Sequence, residues 1–187
     1  MSLTWLASRA SGEVALLLLS AVTVLGILTA RYGSGTVWRR YTLSQVHRYL
    51  SVVAVVFLGL HILVTVLDSY VTVPWWSAVL PFTSPYLTFA VGLGAVSVLL
   101  LLAVILTSLI RGSLGYPVWK RLHYLAYGAW AIGSLHAVLA GTDQLLTFSL
   151  AAGGLVAVAA SLLLVQYPKG RSAHAHNGAA TTAADIH

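Results

Sequence analysis

YTLSQVHRYLSVVAVVFLGLHILVTVLD, residues Tyr41 to Asp68, decides the fold. It reads as one membrane-spanning helix carrying two histidines, His47 and His61, 14 residues apart in an otherwise apolar run. An ideal α-helix advances about 1.5 Å and turns about 100° per residue, so His61 lies roughly 21 Å beyond His47 and only about 40° off its face. Imidazole inside a bilayer is costly without a partner, and an ionisable residue there is a functional-site candidate. Two on nearly one face, one towards each side of the membrane, call for matching groups elsewhere in the chain.

The composition agrees with a membrane setting. Of 187 residues, 59% are hydrophobic and 7% charged, and the mean hydropathy is +0.90. Soluble domains carry about 25% charged residues, so this chain lacks the polar surface of a soluble globule. Cysteine is absent, which excludes disulfides, iron–sulfur clusters and thiolate chemistry. The formal charge of +6 comes from basic residues that fall between apolar runs. No aromatic-interleaved basic motif points to nucleic acid.

Outward from Tyr41–Asp68, the pattern is an all-α integral membrane bundle of five transmembrane helices within residues 1–168. The spans are expected at about 12–32, 44–67, 85–110, 117–141 and 143–167. Residues 1–10 are short and polar-mixed. Ser11 is expected to cap the first helix, with Glu13 in its first turn, and Gly33 and Gly35 to end it. The charge-free run from Val14 to Ala30 is long for a signal peptide and its stronger charges follow it, so it reads as an uncleaved span. Thr42 and Gln45 fit a capping box for the second span. Ser84 and Pro85 signal the start of the third. Pro117 opens the fourth and Gly141 closes it, Asp143 caps the fifth and Pro168 ends it. Residues 169–187 read as a disordered cytoplasmic tail.

Arg31, Arg39 and Arg40 lie after the first span, Arg111, Lys120 and Arg121 after the third, and Lys169 and Arg171 after the fifth. The other two loops hold Asp68 and Asp143 and no Lys or Arg. The positive-inside rule therefore places the amino terminus outside and the carboxyl terminus in the cytoplasm. The aromatic segment from Val73 to Phe82 then lies on the outer side. Either it roofs a site there or it anchors the chain at the interface.

The fourth span carries His123 and His136, 13 residues apart, and no other span contains a histidine. The second and fourth spans run in the same direction, so His47 shares the cytoplasmic depth with His123, and His61 the outer depth with His136. A haem iron with two axial imidazoles suits such facing pairs, and the apolar edge of haem suits a helix bundle in lipid. Zinc wants four ligands, and neither carboxylate nor thiol lies at those depths. A proton relay would bring intramembrane Asp or Glu, but Glu13, Asp68 and Asp143 sit at span ends. Four packing histidines would leave the depth matching unexplained. One geometric difficulty stands: 13 residues turn an ideal helix roughly 140° short of whole turns. Gly128 and Gly133 are the expected places for the distortion that brings His123 and His136 to one side.

HRYLSVVAVVFLGLH (His47 to His61) and WKRLHYLAYGAWAIGSLH (Trp119 to His136) resemble the paired motifs of the ferric reductase-like transmembrane domain family. That group takes in ferric reductases, the membrane half of NADPH oxidases and the haem-binding membrane subunit of the bacterial periplasmic methionine sulfoxide reductase system. The resemblance spans roughly residues 12 to 167, and the 14 and 13 spacings are the family's pattern. It implies two b-type haems, His47 and His123 holding the inner one and His61 and His136 the outer one. The implied function is transmembrane electron transfer from a cytoplasmic-side donor to ferric iron, oxygen or a partner protein on the outer side, in the bacterial cytoplasmic membrane. The chain departs from the family in showing five spans where many members have six. Only about 20 residues follow the last helix, and no Gly-rich dinucleotide motif follows a strand. The expectation is thus an electron-transfer component without its own flavin or NAD(P)H domain, supplied by a separate flavoprotein or by quinol. Two other readings remain open here: a quinol-oxidising membrane subunit of a periplasmic reductase, and a non-redox haem sensor or assembly factor.

Among the basic residues near the inner histidines, Arg48 and Arg121 sit within a turn of a ligand and are the candidates to pair with haem propionates. Arg39, Arg40 and Lys120 read as positive-inside anchors or as part of a donor-docking face. His174 and His176 form a short HAH in the tail, a weak metal binder at best.

Overall fold

The computed structural model describes residues 3–32, 37–69 and 71–166, and at 31–32, 37–40 and 165–166 the backbone only. Gly33, Gly35, Pro168 and the tail with His174 and His176 lie outside the described residues, as do the side chains of Arg39 and Arg40. The described chain is helical, in the order α1 (Leu3–Tyr32), α2 (Val37–Leu67), a 3-10 turn (Trp75–Ala78), α3 (Thr88–Leu109), α4 (Arg111–Leu114), α5 (Tyr116–His123), α6 (Leu125–Ala140) and α7 (Gln144–Gln166). No strand occurs among the described residues.

Four of these helices, α1, α2, α3 and α7, are long and apolar enough to cross a membrane. Their apolar side chains point outward as well as inward: Val56 on α2 and Val156 on α7 are 62% and 67% exposed. A helix that is apolar on all sides needs lipid or protein around it. Lipid offers the backbone no hydrogen bonds, so the helix must satisfy its own. The hydroxyls follow the same rule, with Ser20, Thr23, Ser51 and Thr65 each donating to the carbonyl four residues earlier.

Helix α1 is the hub. It packs along α2 on one side and against α6 and α7 on the other, while α3 packs against α6 and α5. The buried cluster of Ile27, Trp130 and Val158, with Leu19 and Val24 against it, ties α1 to α6 and α7. Trp130 Nε1 donates to Ser20 Oγ at 2.9 Å, and Gly154 on α7 gives that hydroxyl room.

Several expected helix ends lie elsewhere. Helix α1 begins at Leu3, and Ser11 is inside it, donating back to the carbonyls of Ala7 and Ser8 at 2.6 and 3.0 Å in place of capping. Helix α2 begins at Val37, so Thr42 and Gln45 are interior. The Ser84 signal is closer: Ser84 Oγ accepts from Tyr86 N–H at 3.2 Å, and Thr88, where α3 begins, donates its hydroxyl to Ser84 O at 2.8 Å. Asp143 Oδ1 accepts from Leu146 N–H at 3.5 Å at the start of α7.

The stretch expected as one span over 117–141 is divided. Pro117 sits in the first turn of α5, as expected, but α5 stops at His123 and α6 starts at Leu125. The distortion lies at Tyr124, and not at Gly128 or Gly133. Tyr124 N–H reaches back to Arg121 O at 3.3 Å and Tyr127 N–H to Tyr124 O at 3.1 Å, the three-residue reach of tighter winding. Winding at about 120° per residue and a new helix axis both supply rotation that a straight helix lacks over 13 residues. Gly133 serves packing instead, since a β-carbon there would stand 2.9 Å from Ser97 Oγ on α3.

Candidate functional site

The four histidines come together as two pairs. The ring centres of His47 and His123 are 6.3 Å apart at 68°, and those of His61 and His136 are 6.4 Å apart at 69°. Two imidazoles bonded end-on to one metal at about 2.0–2.1 Å per nitrogen would hold their centres roughly 6.3 Å apart. Among the described residues no three His, Cys, Asp or Glu side chains gather around one point. Among the described residues each pair therefore offers two imidazoles and no third ligand side chain.

Helix α1 supplies a seat for each histidine of α2. His61 Nδ1 is 2.8 Å from Ser8 O, and His47 Nδ1 is 3.1 Å from Val22 O. Four residues after each carbonyl comes a glycine facing the ring. A β-carbon at Gly12 would stand 2.9 Å from His61 Nδ1, and one at Gly26 would stand 3.4 Å from His47 Cε1. Helix α3 repeats the device for α6: His136 Nδ1 is 2.7 Å from Ala90 O, and a β-carbon at Gly94 would stand 2.9 Å from that nitrogen. A carbonyl only accepts, so Nδ1 carries the hydrogen in all three rings and donates it. That leaves the lone pair on Nε2, the arrangement usual for metal-bound histidine.

His123 is the exception. Its Nδ1 is buried and has no hydrogen-bond partner. Its ring stacks on Trp119, centres 4.9 Å apart, and the Arg111 guanidinium lies 4.5 Å over the same indole.

A cavity of about 240 Å³ opens at the His61–His136 pair, lined from α1, α2, α3 and α6 and closed by loop residues that include Val73 and Ser77. Ser77 is 1% exposed, whereas Trp75 is 68% exposed. Small residues of the aromatic loop line the cavity, and its two tryptophans are exposed.

Arg48 directly follows His47 on α2, and Arg121 lies in the last turn of α5, and both are exposed. Lys120 is exposed with Nζ 5.9 Å over the Tyr116 ring. Sequence reading overlooked the amino-terminal turns of α1. Arg9 lines the cavity with Glu13, donates to the hydroxyl of Thr142, stands 3.9 Å from Glu13 and lies 4.9 Å over the Trp5 ring. Thr4 donates to Asp68 at 2.7 Å, and Ser8 and Thr65 share a hydrogen bond. The seat glycines were overlooked too, although Gly12 and Gly26 are the two glycines of α1 and repeat the 14-residue spacing of His47 and His61.

Four helices long and apolar enough to cross a membrane, with paired histidines at two levels between them, define an integral membrane protein. More narrowly, the chain belongs to the family described as ferric reductase-like transmembrane component, whose model matches residues 11–134. The match takes in His47, His61 and His123 and stops two residues before His136. No curated protein and no solved structure matches the chain.

Proposed function

We propose that the chain carries electrons across the membrane with two b-type haems, one between His47 and His123 on the cytoplasmic side and one between His61 and His136 on the outer side. The observation that carries this reading is the pair of centre-to-centre distances, 6.3 and 6.4 Å, on rings of which three are locked with Nε2 free. Bound haem supplies reversible one-electron chemistry at its iron.

The residues of the chain do the rest. His47, His61 and His136 are held in tautomer and direction by the Val22, Ser8 and Ala90 carbonyls. Trp130, 8% exposed, lies on α6 between His123 and His136 in the sequence and lines the outer cavity. On this reading Arg9, which lines the outer cavity, and Arg48 and Arg121, each within a turn of an inner histidine in the sequence, would pair with propionates. Helices α5 and α6 together form the fifth crossing, broken at Tyr124. Electrons enter from a separate flavoprotein or from quinol and leave to ferric iron, oxygen or a partner protein on the outer side.

Purified chain from haem-supplemented cells should show a Soret band, a b-type α-band on reduction and close to two haems per chain. A preparation with no Soret band would sink the reading.

A further inference from the structure

Three of the four histidines have a carbonyl seat on a neighbouring helix, and the fourth has none: the Nδ1 of His123 is buried and partnerless. What His123 has in place of a carbonyl is the face of Trp119, whose Nε1 donates to Ser108 Oγ at 3.3 Å and which also meets Arg111 and the Tyr116 ring.

From this arrangement we infer that the His123 side of the inner pair is the releasable axial bond of the protein, with Trp119 as its positioning residue. The inference rests on the haem reading above. A stack restrains the tilt of an imidazole but not rotation in its own plane, whereas an Nδ1–H···O=C bond restrains both. Loss of such an outer partner lowers metal affinity about ten- to hundredfold at ordinary sites. The inner haem therefore dissociates faster than the outer one. In the ferrous state it is also the one that lets a small neutral ligand such as carbon monoxide displace a histidine. The ligand class this site takes is thus a diatomic π-acceptor, at the face that His123 vacates.

The test uses full-length chain in detergent, with haem loss followed by transfer to excess apomyoglobin and carbon monoxide binding followed by the reduced difference spectrum. His61→Ala leaves the inner site and His47→Ala the outer site. The inner-only chain should lose haem about tenfold faster or more and should give the larger carbon monoxide signal at His123. Trp119→Leu should raise both readouts further at the inner site alone, and Trp119→Phe should restore them. Equal loss rates from the two single-site chains would overturn the inference, as would a Trp119→Leu chain with unchanged inner-site kinetics. If Trp119→Leu fails to fold, the comparison of the two single-site chains still decides. Failure of the haem reading looks different, since the wild-type chain would then bind no haem at all.

Discussion

His61 occupies the space that a side chain at residue 12 would take: a β-carbon on Gly12 would stand 2.9 Å from both Nδ1 and Cε1 of the imidazole. The ring is wedged between helix backbone and cavity, and its hydrogen bond to Ser8 O depends on that closeness. Gly12→Val should push the ring off the carbonyl and remove the outer haem, leaving about one haem per chain. Overpacking of this kind costs about 1–3 kcal/mol. Gly94→Val should act in the same way through His136. Gly26→Ala should be milder, because its β-carbon would meet His47 at 3.4 Å, near ordinary contact. Haem-to-chain ratios of the three variants check the order, and a Gly12→Val chain that keeps both haems would contradict it.

Removing a ligand should separate the two sites. His61→Ala or His136→Ala should remove the outer haem and leave a reduced b-type spectrum of about half the wild-type intensity. The inner pair stands roughly 21 Å away along α2 and has its own seat on α1, so the losses are independent. The check is the pyridine haemochrome of each variant. Loss of both haems from His61→Ala would show the sites to be one cooperative unit.

The histidine pairs were legible because spacing and direction are properties of the chain: 14 and 13 residues on two spans that start on the same side. The seats were half legible. Gly12 and Gly26 repeat the histidine spacing, but a glycine becomes a seat only when the antiparallel register with α2 is known, and that register is a tertiary fact. The break at Tyr124 shows in the sequence only as missing rotation, which points to Gly128 and Gly133 because glycine is the usual weak point of a helix. Tight winding needs no glycine, and Tyr124 carries no sequence signal for it. Residues 1–10 read from sequence as a short polar-mixed segment before a helix capped by Ser11. Inside the bundle that polarity is spent on Thr65, Asp68 and Thr142, so Ser11 bonds back along a helix that had already begun eight residues earlier.

Arg9 should set the outer potential. Its side chain is 17% exposed, it lines the cavity beside His61 and His136, and its nearby anion, Glu13, is 3.9 Å away. A cation near a site favours the more reduced, more negative state. Arg9→Gln should lower the outer midpoint by an amount on the order of 1 kcal/mol for partly screened charges, or about 40 mV for one electron. Redox titration resolves it if the inner midpoint stays put. An unchanged outer midpoint would remove Arg9 from the site.

The contact of Ser20 with Trp130 should matter for stability beyond what either side chain contributes by size. Trp130 Nε1 donates to Ser20 Oγ at 2.9 Å in the buried seam of α1, α6 and α7. Ser20→Ala deletes the acceptor and leaves an indole N–H buried, a loss of about 1–3 kcal/mol. Trp130→Phe deletes the donor and opens a cavity, but leaves the Ser20 hydroxyl its own carbonyl, Leu16 O, at 2.9 Å. The double variant should therefore be less destabilised than the sum of the singles, because the orphaned N–H is gone. A coupling of about 0.5 kcal/mol or more is the size expected for residues in contact. Thermal unfolding of the four chains in one detergent measures it, and strictly additive shifts would mean that the hydrogen bond contributes nothing to the seam.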